Sequence, residues 1–298
     1  MSKRIFVYPY VLWMSIFIVA PLLIVLWFSV TTTEADGSIA FTLHHYIRFF
    51  EPSYENQPFF QRLYISILMR SIRLALICTA ICFVLGYPLA YILAKFYKHK
   101  TFLLFLFLVP MWMNFLLRTY AWLTILERNG VLNTVLSFIG LPTIDILFTD
   151  TAVVLGMVYT FLPFMVLPVY TSLRDMDNSY IEAAQDLGAS RLQVFKRVVL
   201  PLSMPGVISG ITMVFMPGVT TFIISNLLGG GQFILVGNLI EQQFITVGNR
   251  GFGSAISAII IVLILLMMGF FKLLGSSYSD SGSDSRQEVS QTKRGALY

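Results

Sequence analysis

The chain has 298 residues, of which 57% are hydrophobic and 12% are charged. Soluble domains carry about 25% charged residues, so this composition excludes a protein whose whole surface faces water and predicts one embedded in lipid. The net charge of +5 does not predict nucleic-acid binding, because the basic residues lie at the ends of apolar runs and form no continuous stripe.

Apolar runs that approach the length of a membrane span recur along the chain. A spanning helix needs about 20 mostly apolar residues. The runs of this kind are 7–30, 74–94, 101–117, 151–170, 205–225 and 251–271. We therefore predict an all-α, polytopic transmembrane protein with about six helices. The first run is longer than the core of a signal peptide, which predicts a retained helix.

The distribution of Lys and Arg predicts the orientation of these helices. With the N-terminus placed in the cytoplasm, most of the 20 basic residues, including every lysine, lie in cytoplasmic segments. Because cytoplasmic loops are enriched in Lys and Arg, both termini are predicted to be cytoplasmic. Residues 275–298, rich in Ser, Asp and Gly, are predicted to form a disordered cytoplasmic tail after a transmembrane domain of residues 1–274.

Two long outer connections are expected to contain structure of their own. Residues 31–73 are predicted to form a short helix plus a loop. Residues 131–139 have the pattern of a short amphipathic helix.

Reactive side chains are sparse in the predicted spans. Cys78 and Cys82 lie four residues apart without further ligands nearby, so they are expected to face the core or lipid and no metal site is predicted. All three histidines, His44, His45 and His99, lie outside the spans, which argues against an intramembrane enzyme. The spans also lack the Asp, Glu or His that a proton-driven carrier would retain.

The segment 175–201, between the fourth and fifth spans, carries strong local signals. Ser179 with Glu182 forms a capping-box pattern that predicts the start of a helix, and Gly188 fits the left-handed position after its end. Ser190 with Gln193 repeats the capping pattern, and Pro201 is predicted to stop the second helix or to kink it into the next span. The product is a helix–turn–helix on the cytoplasmic membrane face.

One face of the first of these two helices has no evident use within the chain. Ile181, Ala184, Leu187 and Gly188 share this face at helical spacing. Small and apolar residues let a partner protein approach closely, so we predict that this face docks onto another protein.

This segment resembles a motif of a known family. Glu182-Ala183-Ala184, followed by Gly188 and then by Leu200-Pro201, resembles the "EAA" loop of ABC-importer permeases. In that family the loop is a coupling helix, which sits in a cleft of the cytoplasmic ATPase and transmits its closure to the membrane helices. The resemblance implies the type I ABC importer permease fold, with ATPase coupling assigned to Glu182, Ala183, Ala184, Gly188, Leu200 and Pro201.

Shorter strings elsewhere are similar to the permeases of spermidine/putrescine importers, of the type often called the B subunit. They are Gly86-Tyr87-Pro88-Leu89-Ala90-Tyr91, Pro110-Met111-Trp112-Met113-Asn114, Arg118-Thr119-Tyr120-Ala121-Trp122, Leu162 to Pro168 and Leu227-Leu228-Gly229-Gly230. The resemblance implies a non-catalytic, multi-pass subunit of the cell (inner or plasma) membrane. Its implied partners are an ATP-binding cassette ATPase dimer, a second homologous permease, an extracytoplasmic polyamine-binding protein and membrane lipid, with no nucleic acid.

No cofactor is expected in this chain itself. The phosphate-binding pattern G-x-x-x-x-G-K-[ST] does not occur in the sequence, so ATP is expected to be bound by the partner subunits.

The resemblance also implies a substrate pathway along the third, fourth and fifth helices. Aromatic rings attract ammonium groups by about 0.5–2 kcal/mol each, which favours Trp112, Tyr159 and Phe222 as contacts for a polycation. Asn114 and Asn226 offer carbonyl oxygens. Related polyamine permeases often carry acids on and after the fifth helix, where this chain has Thr221 and Asn226. This departure puts direct recognition of substrate charge by this subunit in question.

Several alternatives remain open at the level of sequence. An ABC-importer permease for another solute, such as thiamine, iron or an oxyanion, fits the same coupling loop. A secondary carrier, an intramembrane enzyme and a membrane scaffold without transport belong to different classes, and they fit the sequence less well.

Overall fold

The computed structural model describes residues 7–33, 38–52, 62–95 and 100–295. Within these ranges, the helices long and apolar enough to cross a membrane are Tyr8–Ser29, Leu63–Lys95, Asp150–Arg174, Arg191–Thr220 and Arg250–Leu273. A sixth crossing is present when Phe102–Trp112 and Phe115–Phe138, which are bent by 90° at a short break, are taken as one broken span. The predicted all-α architecture with about six membrane helices is confirmed.

The helices, in chain order, are α1 (Val7–Met14), α2 (Ala20–Ser29), α3 (His44–Phe50), α4 (Leu63–Lys95), α5 (Lys100–Leu108), α6 (Phe115–Leu126), α7 (Val131–Phe138), α8 (Asp150–Arg174), α9 (Ser179–Asp186), α10 (Arg191–Val194), α11 (Leu200–Thr220), α12 (Ile223–Leu228), α13 (Val236–Glu241) and α14 (Arg250–Gly295). Short strands β1 (Thr31–Thr33) and β2 (Ile39–Phe41) pair antiparallel. The chain divides into two compact units, Met1–Arg70 with Ile234–Leu265, and Ser71–Phe233 with Leu266–Tyr298.

The first unit contains a span whose side chains are largely exposed, followed by a small hairpin and a short helix. No apolar side chain of the span Tyr8–Ser29 is buried within the part of the chain that the structure describes. Lipid permits this exposure because a helix satisfies its own backbone hydrogen bonds. The helix expected within residues 31–73 is α3, but the β1–β2 hairpin was not predicted. Three consecutive threonines form β1, and β-branched residues favour extended backbone.

The core of the second unit forms where α8 packs against α11. A Cβ added to Gly206 would lie 2.6 Å from the carbonyl oxygen of Pro168, and one added to Gly210 would lie 2.8 Å from Sδ of Met165. Glycines at these two positions therefore allow the helix backbones to approach closely, which is how membrane helices gain packing contacts without a hydrophobic driving force.

The second span, α4, starts at Leu63, earlier than the predicted residue 74. Arg70 and Arg73 suggested a boundary, yet they lie inside the helix, because long arginine side chains can extend to a polar partner from within a helix. Arg73 Nη2 donates to Asp150 Oδ2 at 2.9 Å. Cys78 and Cys82, further along α4, are fully buried. Of the two predicted environments, core or lipid, they therefore occupy the core.

The predicted third span, 101–117, is wrong as a continuous helix. Helix α5 passes into a 3₁₀ turn at Val109–Trp112, the backbone becomes extended at Met113, and α6 begins at Phe115. Pro110 lacks a backbone N–H, and the side chain of Asn114 caps the new helix. The predicted amphipathic helix within 131–139 is confirmed as α7.

The fifth span and the tail also differ from their predicted limits. The fifth span is continuous helix from Arg191 to Thr220 instead of 205–225, and the backbone then becomes extended at Thr221 before α12. At the other end of the chain, α14 continues to Gly295, where no regular structure was expected from residue 275. A helix propagates by adding one hydrogen bond for each residue fixed, so it can extend beyond the apolar stretch that nucleates it.

Candidate functional site

In the segment between α8 and α11, the start of α9 is held by a hydrogen bond to an aspartate side chain. Asp177 Oδ1 accepts the backbone N–H of Ser179 at 2.9 Å. Hydrogen bonding from the backbone N–H of Ser179, and secondly from its side chain, lowers the pKa of the Asp177 carboxyl below its usual value. The predicted capping box of Ser179 with Glu182 is wrong, because Ser179 is the first residue of α9 and Asn178 holds the cap position.

The turn between α9 and α10 agrees closely with the prediction. Gly188 has φ +81°, the left-handed conformation expected after a helix end, and its N–H donates to the carbonyl of Gln185 at 2.8 Å. Ser190 and Gln193 form both bonds of a capping box, at 2.8 and 3.4 Å. The turn is therefore locally specified on both sides.

Helix α9 presents most of its surface away from the chain. No residue of α9 is buried, and the side chain of Leu187, directly after it, is 89% exposed. Glu182, Ala183 and Gly188 are also exposed, whereas Ile181 and Ala184 are half-buried. Of the face predicted to dock, Leu187 and Gly188 are therefore exposed, and Glu182 and Ala183 add to the exposed surface beside them.

Leu200 and Pro201, the last residues of the predicted coupling motif, begin α11 without interrupting the helix. A π-turn at Phe195–Val199 precedes them, and the Leu200 N–H donates to the carbonyl of Phe195. The predicted stop or kink at Pro201 is therefore replaced by a local widening of the helix. In a regular helix the Pro201 ring would meet the carbonyl of Arg197, which the wider turn displaces.

Contacts missed by the sequence analysis tie this segment to α4. Lys95 Nζ donates to Asn178 Oδ1 at 2.7 Å. The Phe195 ring lies edge-on to Tyr87 and to Tyr91, with centroids 5.8 Å apart in both pairs. The only available signal was that the two tyrosines are four residues apart, and hence on one face of a helix.

The predicted pathway residues occupy two helix breaks and the helix α8 beside them. Trp112 ends the 3₁₀ turn before the first break and is 76% exposed, with its ring 5.5 Å from that of Phe105. Phe222 lies at the second break, between α11 and α12, and Asn226 is on the exposed side of α12. Helices α6 and α12, which begin directly after the two breaks, pack against each other and against α8.

Asn114 has a structural task at the first break. Its side-chain oxygen accepts the backbone N–H of Leu116 at 2.8 Å and that of Leu117 at 3.4 Å. A side chain engaged in capping has less hydrogen-bonding capacity for a substrate, so the predicted carbonyl ligand is better described as the residue that starts α6.

Arg118 links the two sides of the same break. Its Nη1 donates to the carbonyl of Pro110 at 3.0 Å, across the break. The guanidinium lies 5.7 Å from the ring centroid of Tyr159, and the Tyr159 and Trp122 rings are arranged edge-to-face with their centroids 5.2 Å apart. A cation of the protein thus already uses the Tyr159 ring, which opposes the predicted contact of Tyr159 with a cationic substrate.

The chain is similar over most of its length to known proteins. Residues 4–280 match the family described as the binding-protein-dependent transport system inner membrane component. The spermidine/putrescine transport system permease protein PotB of Escherichia coli K12 is 40% identical over 262 residues, which cover 86% of this chain and 91% of that protein. PotB of Haemophilus influenzae is 40% identical over 261 residues, covering 86% and 88%.

A solved structure shares the fold at low identity. The bacterial ABC transporter involved in import of the acidic polysaccharide alginate superposes with a TM-score of 0.75 at 16% sequence identity, covering 92% of this chain and 94% of that one. The match supports the predicted type I importer permease fold, and the family match agrees with a multi-pass location in the inner membrane. This chain therefore belongs to the family of binding-protein-dependent transport system inner membrane components.

Proposed function

We propose that this chain is a polyamine-translocating permease subunit of an ATP-driven importer, with spermidine and putrescine as the substrate class. The observation that carries the proposal is the α9–turn–α10 segment. Its turn and second helix start are fixed by local capping residues, and its exposed face packs against nothing in the described part of the chain. The identity of 40% to PotB over most of both proteins supports the substrate class.

In this proposal α9 enters a cleft of a cytoplasmic ATPase dimer. Leu187 supplies an apolar contact, and Glu182 and Ala183 lie on the exposed side of the helix. A short amphipathic helix in a groove is a common recognition mode, and it explains why α9 is well formed although nothing in α9 is buried. ATP is bound by the ATPase, which agrees with the lack of a phosphate-binding loop pattern in this sequence.

The substrate passes, in this proposal, beside the two helix breaks where α6 and α12 begin. Discontinuous helices mark substrate sites in many transporters, because their ends expose backbone polar groups inside the membrane. Trp112 and Phe222 are the aromatic contacts best placed for a polyamine, since both rings are exposed and both lie at the breaks. With Arg118 near Tyr159 and with Thr221 and Asn226 in place of acids, selection for charge rests mainly on the extracytoplasmic binding protein and on a second permease.

Reconstitution tests this proposal directly. The whole complex, with its ATPase, second permease and binding protein, is placed in proteoliposomes, and uptake of labelled spermidine and putrescine is measured with and without ATP inside. We expect ATP-dependent uptake that unlabelled polyamine suppresses and that thiamine, ferric iron and phosphate do not. Preferential suppression by one of the other solutes would assign the importer to that solute, and uptake driven by a proton gradient without ATP would contradict the transporter class.

A further inference from the structure

We infer that Phe195 joins α4 to the α9–α10 segment, so that α4 moves with the segment as one body when the ATPase closes. This inference rests on the proposed function, because it takes the docking of α9 as given. It assigns the contact through which the displacement continues into the membrane.

The Phe195 ring contacts two residues of α4. Tyr87 and Tyr91 belong to successive turns of α4, and the Phe195 ring meets both edge-on, with interplanar angles of 86° and 87°. A ring that contacts two turns of one helix resists sliding along that helix, because movement in either direction meets one of the two tyrosines.

Helix α4 also makes one hydrogen bond to the chain before α9 and one after α10. Before α9, Asn178 accepts a hydrogen bond from Lys95, the last residue of α4, at 2.7 Å. After α10, Ser203 Oγ and Tyr87 Oη share a buried hydrogen bond at 2.9 Å. A load on α9 therefore reaches α4 directly at Asn178, whereas the bond of Ser203, a residue of α11, reaches α4 only beyond the turn Phe195–Val199.

The direct route through the chain, from α10 into α11, passes through a widened helical turn. Helix α10 continues into α11 only through the π-turn at Phe195–Val199, where the hydrogen-bond register widens. π-turns are rare and recur at functional sites, and this one places Phe195 at its first position. The side contact with α4 bypasses the widened turn.

Helix α4 can pass a displacement on, because it packs tightly against α8. A Cβ added to Gly86, next to Tyr87, would lie 3.0 Å from Cγ of Met165 in α8. Helix α8 also carries Tyr159, whose ring contacts Arg118, the residue that bonds across the first helix break. A series of contacts thus leads from the α9–α10 segment to the proposed pathway. It runs from Phe195 to Tyr87, and then from Gly86, the neighbour of Tyr87, to α8.

A crosslink rescue tests the inference in the assembled complex. In the Tyr91→Cys/Phe195→Cys variant, we expect the ATPase to co-purify and to hydrolyse ATP, while polyamine uptake per ATP hydrolysed falls several-fold. Joining the two thiols with a short bifunctional reagent should restore uptake, because the two elements need to move together. Normal coupling before crosslinking, or no gain after it, would overturn the inference.

The controls separate this contact from general effects. Wild type treated with the same reagent should transport normally, since Cys78 and Cys82 are buried, and Ile92→Ala, beside Tyr91 but 46% exposed, should remain coupled. Should the double variant not assemble, Phe195→Tyr and Phe195→Leu decide the question. The tyrosine retains coupling and the leucine reduces it, whereas equal coupling in both contradicts a role for the ring.

Failure of the proposed function gives a different result. If the ATPase does not associate with the wild-type chain through α9, the proposed docking fails before any variant is made. If it associates normally with wild type and with the double variant, and both couple equally well, only the role of Phe195 is overturned.

Discussion

Two regions of the second unit differ in how they are held. The α9–α10 segment has no buried residue in α9 and is attached to α4 through a hydrogen bond at Asn178 and the ring of Phe195. The region where α6, α8 and α12 meet is packed, with Gly156 so close to Leu228 that an added Cβ would lie 2.4 Å from its Cδ1.

This difference indicates how the two regions move. A stiff element with few attachments can be displaced as a body, and those attachments determine which neighbouring helices move with it. A packed region resists continuous deformation and changes by switching between discrete arrangements, for which the helix breaks beside Asn114 and Phe222 are the natural positions. The α9–α10 segment is therefore suited to receive a displacement, and the region where α6, α8 and α12 meet is suited to act as a gate.

The largest effect should come from reversing a charge on the docking helix. Glu182→Lys should abolish uptake while membrane insertion remains normal, because the exposed carboxylate lies on the surface proposed to meet the ATPase, where a reversed charge would oppose docking. Glu127→Lys, the same change on an exposed loop residue, serves as the matched control. Uptake is measured in vesicles, and normal transport by the Glu182 variant would remove α9 from the coupling path.

A somewhat smaller effect is expected from straining the turn. Gly188 has φ +81°, and a Cβ there meets nothing within 4 Å, so Gly188→Val acts through backbone strain of about 1–2 kcal/mol and not through a clash. Gly188→Asn should retain more activity in the vesicle uptake assay, because asparagine tolerates the left-handed region. Gly269→Val, which also meets no atom within 4 Å but lacks positive φ, is the control for added bulk. Equal uptake by the valine and asparagine variants would show that conformation is not the cause.

In the packed region, Arg118→Gln should lower the rate of uptake by about tenfold. The change removes a charge-assisted hydrogen bond across the first helix break, an interaction of about 1.5–3 kcal/mol. Arg118→Lys should recover part of the rate, because the ammonium can reach the Pro110 carbonyl but cannot cover the rings as a planar guanidinium does. Unchanged uptake in the Gln variant, with normal assembly, would show that the hydrogen bond across the break is not needed for transport.

The smallest effect should come from removing an exposed ring. Trp112→Ala is expected to weaken uptake by several-fold with ATPase assembly preserved, since one cation–π contact is worth about 0.5–2 kcal/mol. Phe105→Ala, its ring neighbour, is the control for loss of packing. A Trp112 variant with the transport kinetics of wild type would exclude this ring from the pathway.

The sequence predicted elements whose signals are local. The turn at Gly188 and the capping box of Ser190 depend on residues within one or two helical turns, so their pattern was sufficient. Apolar runs likewise predicted most spans, because the bilayer requires a fixed length of apolar helix.

Features that depend on distant residues were not predictable in the same way. Asn114 was interpreted by its chemistry as a substrate contact, whereas its place after Pro110 makes it a helix cap. The contact of Phe195 with Tyr87 joins residues far apart in the chain, and neither residue type alone signals the other. The partner of Arg118, a backbone carbonyl exposed by the helix break, exists only because the break does.

Site-directed crosslinking tests the central claim, that α9 docks onto the ATPase, most directly. A photoreactive residue is placed at Leu187, which is 89% exposed, and at Phe138 of α7, which is 92% exposed, as the control position. In the assembled complex, position 187 should form a covalent adduct with the ATPase and position 138 should not. No adduct at position 187, or equal adducts at both positions, would contradict the account.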